Sequence, residues 1–487
     1  MDDAKNPGAF ASATRLAGQI RDRQVGCLEL LDFFLARAER YNKDLNAIIA
    51  WQVEKARDRA RAADAALAKG ESRGPLHGIP MTVKESFNIA GLPTTFGNPA
   101  WKDNVPSGNA VVVDRLEAAG AVIFGKTNVP YMLQDSQSYN DIYGTTNNPW
   151  DLGCGPGGSS GGEAATLAAG MSALGAGSDI AGSLRNPAHY SGVYGHKPTW
   201  GLIPTRGHGP PGIVTPTDIS VVGPMARSAE DLALALGVLA GPDLLQQAAW
   251  RVQLPAPRGR QLKDFRVAVW GSLAEAPIDD SVGAVFAQAV AAIVKAGAGV
   301  DETARPGFDA GEYHRLFMLL LRAATASRLG DDDFAEQQRI AATLSPDDTS
   351  PRALVARGAA VSHRAWGAAN EARSKLRYLW RDFFSRFDVL LAPVAGTAAY
   401  PHDHNPDRGA RRAIVNGQPV PHVDITWAGL ASLCYLPATA APIGRTGRGL
   451  PVGLQIIGPE GEDPTTIEFA RLLAAEIGGF APPPGYL

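Results

Sequence analysis

Cysteine is scarce in this sequence, with three residues among 487. They are Cys27, Cys154 and Cys434, which lie far apart and form no C-x-x-C pair. This spacing argues against both a disulfide framework and a zinc knuckle. A reducing environment is therefore expected, and we predict a cytoplasmic protein.

Long hydrophobic runs and an excess of one charge are also lacking. The longest strongly apolar run, 316–321, is far too short for a membrane span, which needs about 20 residues. Residues 1–10 contain no apolar stretch typical of a secretory signal. The formal net charge of −3 offers neither a basic field for nucleic acid nor a polybasic membrane patch. We therefore expect no nucleic-acid partner and no membrane association.

The remaining composition is that of a globular protein with a large core. Hydrophobic residues make up 45% and charged residues 20% of the chain. The length exceeds the usual size of one domain, but α/β enzymes often reach it around one sheet. We expect a single catalytic domain over residues 1–487.

Glycine and serine are concentrated in two neighbouring segments. Residues 157–162 read GGSSGG, and residues 177–187 read GSDIAGSLRNP. Glycine lets the backbone adopt positive φ and approach a ligand closely. Ser159 and Ser183 are therefore candidates for chemistry. Because a glycine-rich loop beside a helix start collects unpaired N–H groups, we predict an anion site at the backbone of residues 180–183, which are Ile180, Ala181, Gly182 and Ser183.

A serine hydroxyl is a poor nucleophile until a base removes its proton. Lys84 is the best candidate for that base, because residues 79–83 read as a short apolar strand that carries the lysine inward. A lysine removed from water loses its preference for the charged form and can act as a neutral base.

With these residues the sequence resembles the amidase signature hydrolases, which use a lysine, a serine on a cis peptide bond and a second serine. Position by position, the resemblance implies Lys84 as base, Ser159 as bridging serine and Ser183 as the nucleophile that forms the acyl-enzyme. It also implies that Ser160, Asp179 and Arg185 support the loop without reacting. Further segments similar to family landmarks are 125–128, 144–151, 195–199 and 451–458.

The resemblance covers residues 74–207 and resumes near residue 427. It implies an α/β fold, in which a central mixed, twisted sheet is covered on both faces by helices. Expected parts are N-terminal helices in 1–70, a signature core in 74–207, a variable helical region in about 255–390 and the rest of the core in 425–487. Two departures from the family pattern are Glu85, where aspartate is common, and Ala181, where glycine is common.

The spacing of apolar residues and the positions of capping and turn residues predict the main helices and strands. Predicted helices follow Ser12 and cover 27–41, 50–69, 109–119, 163–171, 228–240, 282–296, 313–326 and 364–387. Predicted strands include 79–83, 121–124, 172–177, 265–270 and 389–393. The apolar helix at 313–326 is predicted to be buried in the core. The alternative is that part of it lines a substrate channel.

Two motifs suggest other enzymes. Residues 120–127 fit the phosphate-binding pattern G-x-x-x-x-G-K-[ST], but the four residues between its glycines are themselves strand-like. Both Ser159 and Ser160 fit the nucleophile pattern G-x-S-x-G, but turn formers precede them where that motif needs a strand. We therefore favour neither nucleotide binding nor a Ser-His-Asp triad.

A metal site is considered at His402-Asp403-His404 with His422. Its spacing matches no zinc motif and turn formers flank it, so we predict a solvated loop and no metal or other cofactor.

The resulting hypothesis is hydrolysis of a small or medium amide by water, with esters and carbamates, including urethanes, left open. Residues 202–216 and 313–338 are expected to set the choice of substrate. The alternative function is that of the amidase subunit of a tRNA-dependent amidotransferase complex, and an inactive binding scaffold is a third reading. A homodimer is also left open.

Overall fold

The structure is a computed structural model that describes residues 8–422 and 425–487. Its strands are β1 Ile48–Trp51, β2 Pro80–Lys84, β3 Val122–Thr127, β4 Tyr139–Asn140, β5 Gly144–Thr145, β6 Leu174–Asp179, β7 Tyr194–Lys197, β8 Val221–Ala226, β9 Arg266–Val269, β10 Gly299–Asp301, β11 Val389–Pro393, β12 Arg412–Val415, β13 Gln418–Pro421, β14 Ala438–Arg445 and β15 Pro451–Ile457.

Helices occupy most of the chain between the strands. They are α1 Ala13–Arg21, α2 Cys27–Leu45, α3 Val53–Ala68, α4 Val111–Ala118, α5 Gly161–Ala168, α6 Arg185–Ser191, α7 Ala229–Leu239, α8 Asp280–Lys295, α9 Ala310–Ala326, α10 Asp331–Thr343, α11 Pro351–Ala359, α12 His363–Arg386, α13 Thr426–Ser432 and α14 Asp463–Ile477.

One mixed sheet of eleven strands runs through the described residues in the order β1-β3-β2-β6-β8-β7-β14-β15-β11-β9-β10. Strand β2 lies parallel to both β3 and β6. Strands β8 and β15 run antiparallel to the neighbours with which they pair. The predicted fold class, a mixed sheet flanked by helices, is confirmed.

The two faces of the sheet carry separate hydrophobic clusters. Along β11, Val389 and Leu391 join one cluster, whereas Leu390 and Ala392 join the other. This alternation follows from the two-residue period of a strand, which sends successive side chains to opposite faces. Helices α8 and α14 contribute to the first cluster, and α9 and α12 contribute to the second. Burial on both faces therefore holds the centre of the sheet in place.

Helix starts in the N-terminal region follow the predicted signals. The Ser12 hydroxyl accepts from the amide of Arg15 and caps α1, a contact worth about 1 kcal/mol. Leu16 and Ile20 on one face of α1 are buried. The predicted helix 50–69 is wrong at its beginning, because β1 occupies residues 48–51 and pairs with β3 before α3 starts.

No helix in residues 8–422 or 425–487 combines the length and the apolar character needed to cross a membrane.

Candidate active site

The register of two parallel strands brings the predicted base to the glycine-rich loop. Strand β2 pairs with β6 so that Val83 lies opposite Ala176, and the carboxyl ends of both strands meet at one edge of the sheet. Lys84 ends β2, and Ser178 stands next to last in β6. Lys84 Nζ lies 2.9 Å from Ser178 Oγ.

The same amine reaches the predicted bridging serine. Lys84 Nζ lies 2.7 Å from Ser159 Oγ, and the peptide bond between Gly158 and Ser159 is cis. Gly158 packs tightly here, since a Cβ on it would lie 2.4 Å from the Asp135 carbonyl oxygen. Close packing of the loop against the segment around Asp135 therefore holds Ser159 where the lysine can contact it.

Burial weakens the hold of the Lys84 amine on its proton. Its side chain is fully buried, and removal from water lowers the pKa of Lys84 to about 7, although the negative charges of Asp179 and Glu85 oppose this shift. Near neutral pH a large fraction of this amine is therefore uncharged and able to accept a proton.

Ser183 lies on the wall of the cavity that Ser159 and Ser178 also line. The loop that carries it is fastened to the first loop by a hydrogen bond from the Ser160 amide to the Ser183 carbonyl oxygen, at 3.3 Å. Within the described residues the Ser183 hydroxyl makes no hydrogen bond. The structure thus joins Lys84 to Ser159 by a hydrogen bond, and Ser183 lines the same cavity as Ser159.

A buried ion pair stiffens the loop between Ser178 and Ser183. Arg185 donates to both carboxylate oxygens of Asp179, at 3.0 and 2.9 Å, and both side chains are fully buried. Burial would raise the pKa of Asp179, but the Arg185 guanidinium and the Gly182 amide outweigh it and lower that pKa to about 2. Asp179 therefore stays ionised and structural.

Arg185 also anchors the loop to the C-terminal part of the chain. Its guanidinium donates to the Ala428 carbonyl oxygen at 2.9 Å, to Ser432 Oγ at 2.9 Å and to Gln455 Oε1. Helix α13 and strand β15 thus support the loop from behind.

The predicted anion site needs one correction. The Gly182 amide donates to Asp179 Oδ1 at 2.7 Å, so this donor holds the loop and is not free for a ligand. The Leu184 amide donates to the same carboxylate at 3.1 Å. The amides of Ala181 and Ser183 have no hydrogen-bond partner in the described part of the chain. Ser160 has a supporting position: its hydroxyl donates to the Ser178 carbonyl oxygen at 3.3 Å.

Two residues of the site were missed by sequence reasoning. Ser178 could have been considered from its place directly after the predicted strand 172–177, within the glycine-rich segment. No residue pattern in the sequence marks His208 as part of the site. In the structure its Nε2 lies 2.9 Å from Ser86 Oγ, and its ring lines the cavity. Burial, reinforced by the charge of Lys84, lowers the pKa of His208 well below its usual value. His208 is therefore neutral near pH 7.

The cavity has a volume of about 440 Å³ and a largely apolar wall. Helix α9 supplies Met318 and Leu321, which supports the channel alternative for one side of this helix, whereas its Phe317 is buried in the core. Of the segments predicted to set specificity, 313–338 contributes several residues, and 202–216 contributes His208. Further parts of the wall come from β12, β13 and α11, which the sequence did not indicate.

Of the residues considered for phosphate or metal binding, Lys126, His402 and His404 do not line the cavity, whereas the buried His422 does. Lys126 of the phosphate-loop pattern lies within β3 and donates to Thr94 Oγ1 at 2.8 Å. His402 Nε2 lies 3.0 Å from Asn147 Oδ1, and His404 stacks on Tyr139. Across residues 8–422 and 425–487, no three histidine, cysteine or carboxylate side chains are grouped as metal ligands would be.

Comparison with known proteins agrees with this geometry. A family model described as Amidase matches residues 29–467. The acylamidase of Rhodococcus erythropolis is 33% identical, over 92% of this chain and 91% of its own. A glutamyl-tRNA(Gln) amidotransferase subunit of Gloeobacter violaceus is 31% identical, over 92% of this chain and 93% of its own.

A solved structure gives the same result. It is described as an inhibitor-bound complex bearing on the origins of an s-triazine catabolic enzyme, and it superposes with a TM-score of 0.81 at 28% identity. The superposition covers 97% of this chain and 100% of that one. The chain therefore belongs to the amidase signature family and is a hydrolase that acts on carbon–nitrogen bonds.

Proposed function

We propose that this protein hydrolyses a small or medium amide through an acyl-enzyme on Ser183, with Ser159 and Lys84 as the proton relay. The observation that carries the proposal is the 2.7 Å contact between Ser159 Oγ and the buried amine of Lys84. A base whose pKa lies near the working pH transfers protons efficiently in both directions, as the two half-reactions require.

The first half-reaction forms the acyl-enzyme. Ser183 Oγ attacks the carbonyl carbon, its proton passes to Ser159 Oγ, and the Ser159 proton passes to neutral Lys84. The carbonyl oxygen gains the negative charge and is held by backbone amides. Ile180, Ala181 and Ser183 are the proposed donors, since Gly182 already donates to Asp179. Loss of one such donor typically costs a hundredfold or more in rate.

The acyl-enzyme forms when this tetrahedral intermediate collapses: the carbon–nitrogen bond breaks and Lys84 returns its proton through Ser159 to the leaving nitrogen. The second half-reaction regenerates the enzyme. Water attacks the acyl-enzyme and gives its proton through Ser159 to Lys84; the relay then returns that proton to Ser183 Oγ as the ester bond breaks and the carboxylic acid leaves. Esters and carbamates, including urethanes, present the same carbonyl carbon and fall within the proposal.

A second function is favoured by one observation, the similarity to the glutamyl-tRNA(Gln) amidotransferase subunit over most of the chain. In that case the protein would release ammonia for a partner instead of acting alone. Turnover of simple amides by the isolated chain supports the stand-alone enzyme. Glutaminase activity that appears only with added partner proteins supports the amidotransferase.

The decisive experiment combines covalent labelling with a substrate panel. The full chain is treated with a fluorophosphonate, and the labelled peptide is identified by mass spectrometry. We expect label on Ser183, no label in the Ser183→Ala variant and normal labelling of the Ser220→Ala control, which alters another serine of the cavity wall. Label on a different serine in the wild type would overturn the assignment of the nucleophile. Chromogenic amides, esters and carbamates then define the leaving group.

A further inference from the structure

Two arginines line the cavity that holds the catalytic serines. Arg322 lies in the last part of α9, and Arg328 follows shortly after the end of that helix. Neither guanidinium has a carboxylate within ion-pair distance among the described residues. Because an unpaired charge in a partly dry site is costly, such arginines call for a partner that the protein itself does not supply.

Close packing around its Cβ atom holds the Arg322 side chain in place. Helix α11 packs so closely on α9 that a Cβ on Gly358 would lie 2.5 Å from Arg322 Cβ. Its Nε atom is buried and has no hydrogen-bond partner in the described part of the chain. Burial and the charge of Arg408 both lower the pKa of Arg322, so its surroundings add positive charge instead of neutralising it.

Arg328 has one polar contact. Its Nη2 donates to Thr217 Oγ1 at 2.9 Å, which satisfies a donor without balancing the charge. Burial lowers the pKa of Arg328 as well, although an arginine still keeps its proton at neutral pH. Two cations therefore face one cavity.

The acidic residues of the cavity wall do not neutralise this pair. Asp135 is already bound to the buried Arg411, at 2.6 Å. Glu275 is exposed and lies near Gly311, at the opposite end of α9. From Gly311 to Arg322 the helix rises by about 16 Å, too far for an ion pair.

We propose that the substrate is an amide that also carries a carboxylate, which Arg322 and Arg328 bind while Ser183 attacks the amide carbonyl. This inference rests on the proposed function and narrows its substrate class. The planar guanidinium fork matches the two oxygens of a carboxylate. The wall that carries the arginines and the serines also contains apolar side chains such as Met318 and Leu321, so the proposed substrate has a hydrocarbon spacer between its two polar groups.

The kinetic test uses pairs of substrates that differ in charge but hardly in shape. Glutaryl p-nitroanilide is compared with the isostere in which isopropyl replaces the carboxylate, which tests the acyl side. The pair para-acetamidobenzoate and para-isopropylacetanilide tests the amine side. In at least one pair we expect the acid to have a kcat/KM at least about tenfold higher, because the partly buried guanidinium groups would stay unpaired with the neutral analogue.

Variants then assign the preference to the two arginines. Arg322→Met and Arg328→Met should each reduce the preference, which is the ratio of kcat/KM for the acid to kcat/KM for its neutral analogue, about tenfold or more. Thermal unfolding of each variant checks that it folds. Arg322→Lys should keep part of the preference. Arg315→Met, at an exposed position on the same helix, is the matched control and should keep all of it. The inference would be overturned if the wild type preferred both neutral isosteres. It would also be overturned if the preference for the acid survived both substitutions to methionine.

A binding experiment separates this inference from the proposed function. Glutarate and para-aminobenzoate are titrated into the full chain by calorimetry, with inorganic phosphate as a third probe. We expect one carboxylate to bind and its affinity to fall about tenfold in Arg322→Met; no carboxylate binding, or tighter binding of phosphate, would overturn the inference. If neutral amides are hydrolysed through Ser183 but neither acid is preferred, the inference fails and the proposed function stands. If carboxylates bind and Ser183 is never acylated, the proposed function fails.

Discussion

Lys84 contacts two serine hydroxyls, and the one beyond the predicted relay is Ser178, whose Oγ lies 2.9 Å from Nζ. The second contact fixes the direction of the amine, because a lysine has four rotatable bonds and a single hydrogen bond would leave it free to turn. Ser178 comes from β6, next to the strand that carries the lysine, so the sheet itself positions the amine.

Replacement of Ser178 by alanine should therefore slow the reaction without abolishing it. We expect kcat to fall by roughly fivefold, which corresponds to the loss of a hydrogen bond worth about 1 kcal/mol. Steady-state kinetics on a chromogenic amide measure this. Ser220→Ala serves as control. A loss as large as that in Lys84→Met would mean that Ser178 belongs to the relay.

The pH dependence of the reaction should report the state of Lys84. The relay needs the neutral amine, and burial lowers the pKa of Lys84 to about 7. We therefore expect kcat/KM to rise with pH through about 7 and to level off above it, since this parameter reports groups of the free enzyme. Lys84→Met should abolish turnover at every pH. A wild-type profile that peaks near pH 5 would contradict the proposed base.

Loss of Arg185 should destabilise the fold as well as the loop. Arg185→Met leaves the buried Asp179 carboxylate without its counter-charge, which typically costs about 3–5 kcal/mol. The matched control is Arg377→Met, which breaks the half-exposed pair with Glu460 and should cost no more than about 1 kcal/mol. Chemical denaturation gives both free energies of unfolding. Equal effects in the two variants would show that the buried pair has no special role.

Glu163 should make stability fall as the pH rises. Burial raises the pKa of Glu163 from 4.5 to about 8, although hydrogen bonds from Thr82 and Thr127 oppose the shift. The folded state then binds a proton that the unfolded state has lost. The contribution of Glu163 to the free energy of unfolding is complete below about pH 4.5 and is lost as the pH rises through about 8.

Glu163→Gln keeps the shape and removes this titration. Near pH 4, where Glu163 is largely protonated in both the folded and the unfolded state, we expect the free energy of unfolding of the variant to be within about 1 kcal/mol of the wild type. At pH 9 the variant should be the more stable of the two. Thermal unfolding of both proteins across this range checks the prediction. Parallel curves for the two proteins would show that Glu163 is ionised in the folded state.

The contact between Lys84 and Ser159 could be expected from sequence because the residue types that form it stand out locally. A lysine at the end of an apolar run and serines among glycines are visible locally, and the fold brings Lys84 and Ser159 into contact. The hydrogen bond from the Gly182 amide to Asp179 could not be predicted. It depends on how the Asp179 carboxylate turns back onto its own loop, which no pattern of residue types encodes.

Much of the cavity wall also escaped prediction. Strands β12 and β13 form a hairpin whose turn is Asn416-Gly417, both with positive φ. An Asn-Gly pair is a strong hairpin signal, so this element could have been found from sequence. Helix α10 has no buried residue and so offers no apolar periodicity to detect. Helix α11 buries only alanine and glycine, which give a weak hydrophobic signal.

Arg185 bonds to Gln455, a residue 270 positions further along the chain. During synthesis the loop that bears Ser183 therefore lacks this hydrogen bond until β15 has left the ribosome. A nascent chain that ends before that strand would carry every reactive group of the proposed relay and still lack the support that orders it. We expect hydrolytic activity to emerge late in translation, and a stop codon shortly before residue 451 to yield an inactive protein.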